Sequence, residues 1–190
     1  QYPAVPTPKI PSFFRGQAVS GTATNHLIQC TRNIYVKDYR MERTIGFKER
    51  RYIEELRILT RATAIDCIID EKFERVIYVI RQGDMGLAIG KKGENIRRLQ
   101  NVLGKKVEMV EYSDDLFQFI THMFKPANVT GTKESAIPGT IDIIVKQKGD
   151  LGLAIGKGGT TIEKARILSR RFGGPEIGEI IVEEASGGTQ

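Results

Sequence analysis

Apolar positions alternate between helical and strand spacing along the middle of the chain. Residues 47–61 predict a helix, because Ile53, Leu56 and Leu59 fall on one side and charged residues occupy most other positions. Two runs rich in isoleucine and valine then predict strands joined by a charged turn. These runs are residues 62–70 and 75–81.

A pair of helices is predicted after these strands. Asp84 is placed to cap a short helix over residues 85–89. A second helix follows the Gly90–Gly93 turn and extends to about Leu103, where a glycine ends it. Residues 105–112 predict a strand that closes the unit.

The same order of elements begins again near residue 113. An apolar stripe predicts a helix capped by Ser113 or Asp114 and ended by Pro126. Asp150 is placed to cap a short helix before the Gly156–Gly159 turn. The stripe is Leu116, Phe119, Ile120 and Met123. Strands are predicted over residues 128–133, 140–148 and 179–184. The apolar side of the last helix is predicted to be Ile162, Ala165, Leu168 and Phe172.

An internal duplication underlies this repetition. Residues 84–93 and residues 150–159 match at eight of ten positions, 66 residues apart. Gly83 and Gly149 extend the match upstream. Because chance does not produce so ordered a repeat, the turn has a use that the chain needs twice.

The repeated turn has the features of an anion-binding site. Glycines that bound it lack a Cβ atom, so a ligand can approach the backbone closely. The following helix directs its unpaired N–H groups and positive dipole end into the turn, and lysines add charge for phosphates. Leu87 and Leu153 can support one wall of a groove for bases, whereas Ile89 and Ile155 fit either that wall or the core. The candidate residues for binding phosphates and bases are Ile89, Gly90, Lys91, Lys92, Gly93, Ile155, Gly156, Lys157, Gly158 and Gly159.

Both turns have the form I-G-x-x-G-x-x-I, over Ile89–Ile96 and Ile155–Ile162. The pattern resembles the KH domain family, whose G-x-x-G loop clamps about four nucleotides of single-stranded RNA. Each predicted unit begins with a helix, so the resemblance implies type II order and an α+β protein with two tandem type II KH domains. We place these domains at 45–112 and 113–184, between a proline-rich N-terminal tail (1–44) and a C-terminal tail (185–190).

A tandem of type II KH domains with almost no linker is similar to the KH portion of the NusA transcription factors, most of all their short archaeal form. The resemblance covers about residues 47–184. It implies single-stranded RNA as partner, a role in transcription termination, antitermination or elongation, and RNA polymerase as a possible second partner. It does not extend to the oligonucleotide-binding barrel or polymerase-binding domain of bacterial relatives.

Composition agrees with an RNA-binding protein and argues against other classes. Lys and Arg outnumber Asp and Glu by 29 to 23, which favours a polyanionic partner. With two separated cysteines and two histidines, we expect no metal, and we expect no cofactor or small-molecule substrate. No apolar stretch approaches the ~20 residues of a membrane span, so we expect no membrane association and a cytoplasmic protein.

Other interpretations of the same residues remain open. Gly86–Lys91 has three residues between its glycines where a P-loop needs four, which argues against a nucleotide-binding enzyme. The helix after the first turn offers polar side chains that suit a regulator of duplex DNA. KH proteins also act in ribosome assembly or RNA processing. The helix cations are expected mainly as solvated groups: Arg97, Arg98, Lys164, Arg166, Arg170 and Arg171.

Overall fold

The computed structural model describes residues 44–183 and confirms the predicted α+β class. The predicted tails, 1–44 and 185–190, lie outside the described residues apart from Thr44. Two repeats follow one another with the same order, helix, strand, strand, helix, helix, strand. The first repeat contains α1 (Phe47–Thr60), β1 (Ala64–Asp70), β2 (Arg75–Ile80), α2 (Met85–Ile89), α3 (Glu94–Leu103) and β3 (Lys106–Glu111). The second contains α4 (Leu116–Phe124), β4 (Val129–Glu134), β5 (Thr140–Val145), α5 (Lys148–Ile155), α6 (Thr160–Arg171) and β6 (Glu176–Val182).

Of the three predicted helix caps, only Asp84 lies at the predicted N-cap position, and the other two are wrong. The Asp84 carboxylate makes no capping bond to α2 and accepts the Thr63 N–H at 3.0 Å instead. Asp115, one residue beyond the predicted candidates, caps α4 by accepting the Gln118 N–H at 2.8 Å. Asp150 lies inside the first turn of α5, which begins earlier than predicted, and it is buried.

The buried Asp150 connects two elements of the second repeat. One of its carboxylate oxygens accepts the Asn128 N–H at 3.1 Å, so α5 is fixed to the start of β4. The last strand also differs from its prediction, since β6 begins at Glu176 and not at residue 179. The early start of β6 follows from its pairing with β5, since Glu176 pairs with Thr140, and the local pattern of the last strand does not contain that pairing.

Each repeat forms a three-stranded sheet with one antiparallel and one parallel pairing. The orders are β1-β2-β3 and β4-β5-β6. The first two strands pair antiparallel, and the second and third pair parallel. A parallel connection needs a crossover, and the helix–turn–helix of each repeat supplies it. Both glycine turns therefore lie in equivalent crossovers.

The first sheet is buried on both faces, and β2 is buried at every position. Val76, Tyr78 and Ile80 belong to a core that includes Leu56 and Leu99 of the first repeat's own helices. The alternate residues of the same sheet join a second core with residues of the second repeat. This shared core includes Ile77, Val79 and Val110 with Phe119, Met123, Ala165 and Leu168.

Ion pairs cross the boundary between the repeats. Arg171 donates two hydrogen bonds to the buried Asp66, at 2.6 and 2.9 Å. Lys164 contacts Glu108 at 2.9 Å, and Glu108 also accepts a bond from Arg75. Burial alone would raise the pKa of Glu108, but Lys164 and Arg75 hold that pKa below its ordinary value. The two repeats are thus fixed to each other by charged as well as apolar contacts.

This interface corrects the expectation of solvated cations on the last helix. Lys164 is only 6% exposed, and Arg171 is partly buried against Asp66. Arg166 donates to the carbonyl oxygens of Ile177 and Gly178. The sequence pattern predicted solvated side chains because the partners of Lys164 and Arg171 lie on strands that are distant along the chain.

Candidate nucleic-acid interface

The two glycine turns have nearly the same backbone conformation. Gly90 and Gly156 have φ/ψ of 73/174° and 75/168°. In each turn the last glycine N–H donates to the carbonyl of the first glycine at 3.1 Å. The duplication visible in the sequence is therefore a duplication of geometry, and both turns expose the same backbone surface.

Three of the four positions in each turn have positive φ, which explains the demand for glycine. Gly93 and Gly159 have φ of 74° and 81°, values that cost a residue with a Cβ atom. At Gly156 a Cβ would also lie 2.7 Å from the Thr161 nitrogen, and at Gly90 it would lie 2.6 Å from the Asn95 Cγ. The first glycine of each turn is thus required both by conformation and by space.

The helix after each turn begins without a side-chain cap. Gly93 is the N-cap of α3 and Gly159 is the N-cap of α6. A glycine N-cap offers no side-chain acceptor for the first N–H groups of these helices. In the first turn the Glu94 N–H donates to the Lys91 carbonyl oxygen. The N–H groups that have no partner within the helix and the positive end of the helix dipole favour an anion at this place.

The candidate lysines are exposed at both turns. Lys91, Lys92 and Lys157 all lie on the surface, and Gly158 occupies the position equivalent to Lys92. Lys92 is unusual because it adopts φ 50° and ψ 28°, a left-handed conformation that a side chain rarely takes. The first turn therefore holds two cations, and the backbone of one of them, Lys92, is strained. The second turn holds one cation, Lys157.

Apolar side chains just before each turn are exposed. Leu87 and Ile89 are 53% and 38% exposed, and Leu153 and Ile155 are 48% and 40% exposed. This exposure argues against a core position for Ile89 and Ile155, and their place in the wall of a groove stays a prediction. Each turn thus has a cationic side and an apolar side, which suits a strand with phosphates and bases.

Two residues brace the first turn, and the sequence did not indicate this role for either of them. Asn95 donates to the Leu87 carbonyl at 2.8 Å, and Arg97 donates to the Lys92 carbonyl at 2.8 Å. Thr161 and Glu163 occupy the equivalent positions in the second repeat. The difference between the repeats at these positions is the signal that could have indicated a role specific to the first turn.

Neither turn, nor the short helix before it, contains an aromatic residue. Tyr112, Phe119 and Phe172 form a cluster at the boundary between the repeats, with ring centroids 5.2 to 5.7 Å apart. Tyr78 donates its hydroxyl to the Tyr52 carbonyl. Tyr112 and Phe172 pack against the shared core, and Tyr52 packs against the core of the first repeat, so the apolar groups beside the turns are aliphatic.

Two further classes of site are absent from residues 44–183. No cluster of three or more histidine, cysteine or carboxylate residues there could hold a metal ion. In the same part of the chain, no helix has the length and apolar character to cross a membrane.

Comparisons with known proteins agree on one family. The KH domain family matches residues 49–130. The probable transcription termination protein NusA of Halococcus morrhuae is 33% identical over 131 residues, which cover 69% of this chain and 93% of that protein. The protein of the same name from Halobacterium salinarum is 38% identical over 112 residues, covering 59% of this chain and 79% of that protein. In Methanococcus vannielii the corresponding match is 34% identical and covers 61% of this chain and 66% of the relative.

A solved structure shares the fold. The crystal structure of APE1850 is 35% identical in sequence, with a TM-score of 0.62, and the match covers 73% of this chain and 100% of that chain.

Proposed function

The chain belongs to the family of KH-domain proteins that includes the archaeal transcription termination proteins NusA, and from this premise we propose that it binds single-stranded RNA through both glycine turns during transcription termination or antitermination. The observation that carries this proposal is the shared geometry of the two turns. Each combines bare backbone, an uncapped helix start and exposed lysine in one place.

The fixed relation of the repeats supports binding of one continuous strand. Ion pairs from Lys164 and Arg171 and a shared apolar core hold the second repeat against the first sheet. Residues 112–115 alone connect β3 to α4, which is too short for a flexible tether. When one turn has bound a strand, the other is presented to it without an ordering cost, so the two sites reinforce each other.

Base recognition at the turns is proposed to depend on aliphatic packing and hydrogen bonds. Leu87, Ile89, Leu153 and Ile155 supply exposed apolar surface beside the lysines. Such a surface accepts bases that single-stranded RNA can turn outward, whereas paired bases of a duplex are not available to it. Single-stranded RNA is accordingly the preferred ligand over duplex DNA.

A double charge reversal tests this function. In a filter-binding titration with an unstructured single-stranded RNA, Lys91→Glu together with Lys157→Glu should weaken binding about 100-fold, or about tenfold for each lysine that no longer pairs with a phosphate. The dependence of log affinity on log salt should become shallower by about 1.4, since removal of each lysine–phosphate pair takes ~0.7 from the slope.

The matched control reverses two exposed lysines away from the turns. Lys48→Glu with Lys125→Glu makes the same change in net charge, at the start of α1 and the end of α4. Binding should fall only slightly in this control. Equal losses in the two double variants would reduce the turns to part of a general basic surface, and stronger binding to duplex DNA than to RNA at equal salt would favour the duplex-DNA regulator.

RNA polymerase is the protein partner that we propose for this process. Co-purification from cell extract with and without nuclease tests it, since a direct contact survives removal of RNA. Recovery of ribosomal proteins in place of polymerase would favour the alternative role in ribosome assembly or RNA processing.

A further inference from the structure

Each of the two surfaces that form the interface between the repeats has an equivalent surface on the other repeat, and these equivalent surfaces are exposed. Within the chain, helix α6 lies against the first sheet through Lys164, Leu168 and Arg171. Lys164 and Arg171 pair with Glu108 and Asp66 of that sheet. Leu168 lies between them on the same side of the helix and is fully buried in the shared core.

Helix α3 carries the first two residues of this stripe without a partner sheet. At the 66-residue offset of the duplication, the residues equivalent to Lys164, Leu168 and Arg171 are Arg98, Val102 and Lys105. The order cation, aliphatic residue, cation is the same, although Lys105 follows the left-handed C-cap Gly104 and so lies just beyond the end of α3. Val102 is 57% exposed, and Arg98 is also exposed. The helical part of the stripe, Arg98 and Val102, is thus present on the first repeat and faces outward.

The second sheet offers the complementary surface. In the first sheet, Val79 pairs with Val110 in the parallel ladder and both are buried against the second repeat. The equivalent pair in the second sheet is Ile144 with Ile181. Ile181 is 38% exposed.

Acidic groups accompany the open isoleucine pair. Asp142 lies two residues before Ile144 on the same strand and therefore on the same face. A Cβ added at Gly178 would contact the Asp142 carboxylate, so Gly178 shares this face too. The N–H of the exposed Glu179 donates to Asp142. An aliphatic centre beside carboxylates matches the charge of the α3 stripe.

We propose that copies of this chain associate head to tail, with the α3 stripe of one copy on the open face of the second sheet of the next. The occupant is a second copy, because the chain itself already makes this type of contact between its repeats. The two surfaces differ, so the interface is heterologous and extends to further copies. Fewer aliphatic residues take part than inside the chain, so the association is weaker than the contact between the repeats.

Complementation between two variants gives a decisive test. Sedimentation velocity of the full chain up to millimolar concentration should show a sedimentation coefficient that rises with concentration. Val102→Asp and Ile181→Asp should each stay at the value of the monomer, because each destroys one of the two surfaces. Their equimolar mixture retains one intact pair of surfaces and should form a dimer that grows no further.

Two controls keep the test independent of folding. Ile137→Asp places the same charge at a 65% exposed apolar residue of the loop between β4 and β5 and should associate as the unaltered chain does. Glu179→Lys alters the exposed charge without touching an apolar residue, and it should weaken association even if Ile181→Asp fails to fold. A chain that remains monomeric at all concentrations, or a mixture that gives no dimer, overturns the proposal. So does a loss of RNA affinity in Val102→Asp with unchanged association, since the α3 stripe would then contact RNA.

Discussion

Lys92 combines a favourable charge with an unfavourable backbone conformation, so replacing it with glycine should separate the two effects. Its φ of 50° lies in the left-handed region, where the equivalent residue of the second turn is Gly158 with φ 63°. Lys92→Gly therefore gives the first turn the sequence of the second. We expect a protein that is slightly more stable and binds RNA less tightly.

The magnitudes follow from opposing contributions. A left-handed conformation costs a non-glycine residue roughly 1–2 kcal/mol, whereas glycine loses about 0.5–1 kcal/mol more backbone entropy on folding. The net gain is about 0.5 kcal/mol, which raises the midpoint of thermal unfolding by about 1–2 °C for a chain of this size. Removal of one phosphate-binding cation should weaken RNA binding about fivefold and make the salt dependence shallower by about 0.7.

Glu74→Gly is the matched control for strain. Glu74 has φ 49° in the exposed turn between β1 and β2, so glycine relieves the same strain far from the glycine turns along the chain. Its thermal midpoint should rise in the same way while RNA affinity and its salt dependence stay unchanged. The comparison attributes any change in RNA binding by Lys92→Gly to the removed cation.

The reciprocal change is Gly158→Lys. A Cβ at Gly158 meets no heavy atom within 4 Å, so lysine brings strain but no clash. It should lower the thermal midpoint and raise RNA affinity, with a salt dependence steeper by about 0.7. The reasoning is refuted if Lys92→Gly leaves the affinity and its salt dependence intact, or if Gly158→Lys fails to strengthen binding.

The remaining predictions concern the interface between the repeats and the second turn. Lys164→Ala should lower the free energy of unfolding by about 1–3 kcal/mol in a urea titration, because it removes a partner of Glu108 at a largely buried site; a change below about 0.5 kcal/mol would contradict this. The depressed pKa of Glu108 contributes stability that is present above the ordinary glutamate pKa and lost as pH falls through the lower folded value. Glu108→Gln should therefore make stability less dependent on pH in the acid range, and an unaltered pH profile would contradict the assignment. Gly156→Ala should reduce RNA binding and stability together, since its Cβ would meet Thr161, and an alanine variant with native affinity would remove the spatial requirement.

The elements of the fold follow closely from local pattern. The stripe through Leu116, Phe119, Ile120 and Met123 predicted helix α4, and all but Leu116 are buried. The repeated glycine motif also predicted the positions of both turns correctly, because the conformation of a turn bounded by glycines is determined by residues within a few positions of it.

The contacts that join the repeats could not be predicted from local pattern. Lys164 has the spacing of a surface residue of an amphipathic helix, yet Glu108, its partner, is 56 positions earlier in the chain. Asp150 similarly has the position of a helix cap, but the N–H that it accepts comes from Asn128. Pairing over such separations depends on how the two sheets are placed, and spacing in a single sequence does not contain that placement.

The position of the candidate site was predictable from the sequence, whereas its asymmetry was not, and the RNA-binding role of its residues stays a prediction. Both turns and their lysines were identified from the repeated motif. The left-handed conformation of Lys92 and the hydrogen bonds from Asn95 and Arg97 emerged only from the structure. These features distinguish the first turn, and they suggest that its contribution to affinity exceeds that of the second.

Amide resonances of the two turns provide the most direct test of binding at both sites. In an NMR titration with an unstructured single-stranded RNA long enough to reach both turns, the backbone N–H signals of residues 91–95 and 157–161 should shift in parallel and saturate at one RNA per protein. Shifts confined to other surfaces, or saturation of the two turns by separate RNA molecules, would contradict the binding of one strand by two turns.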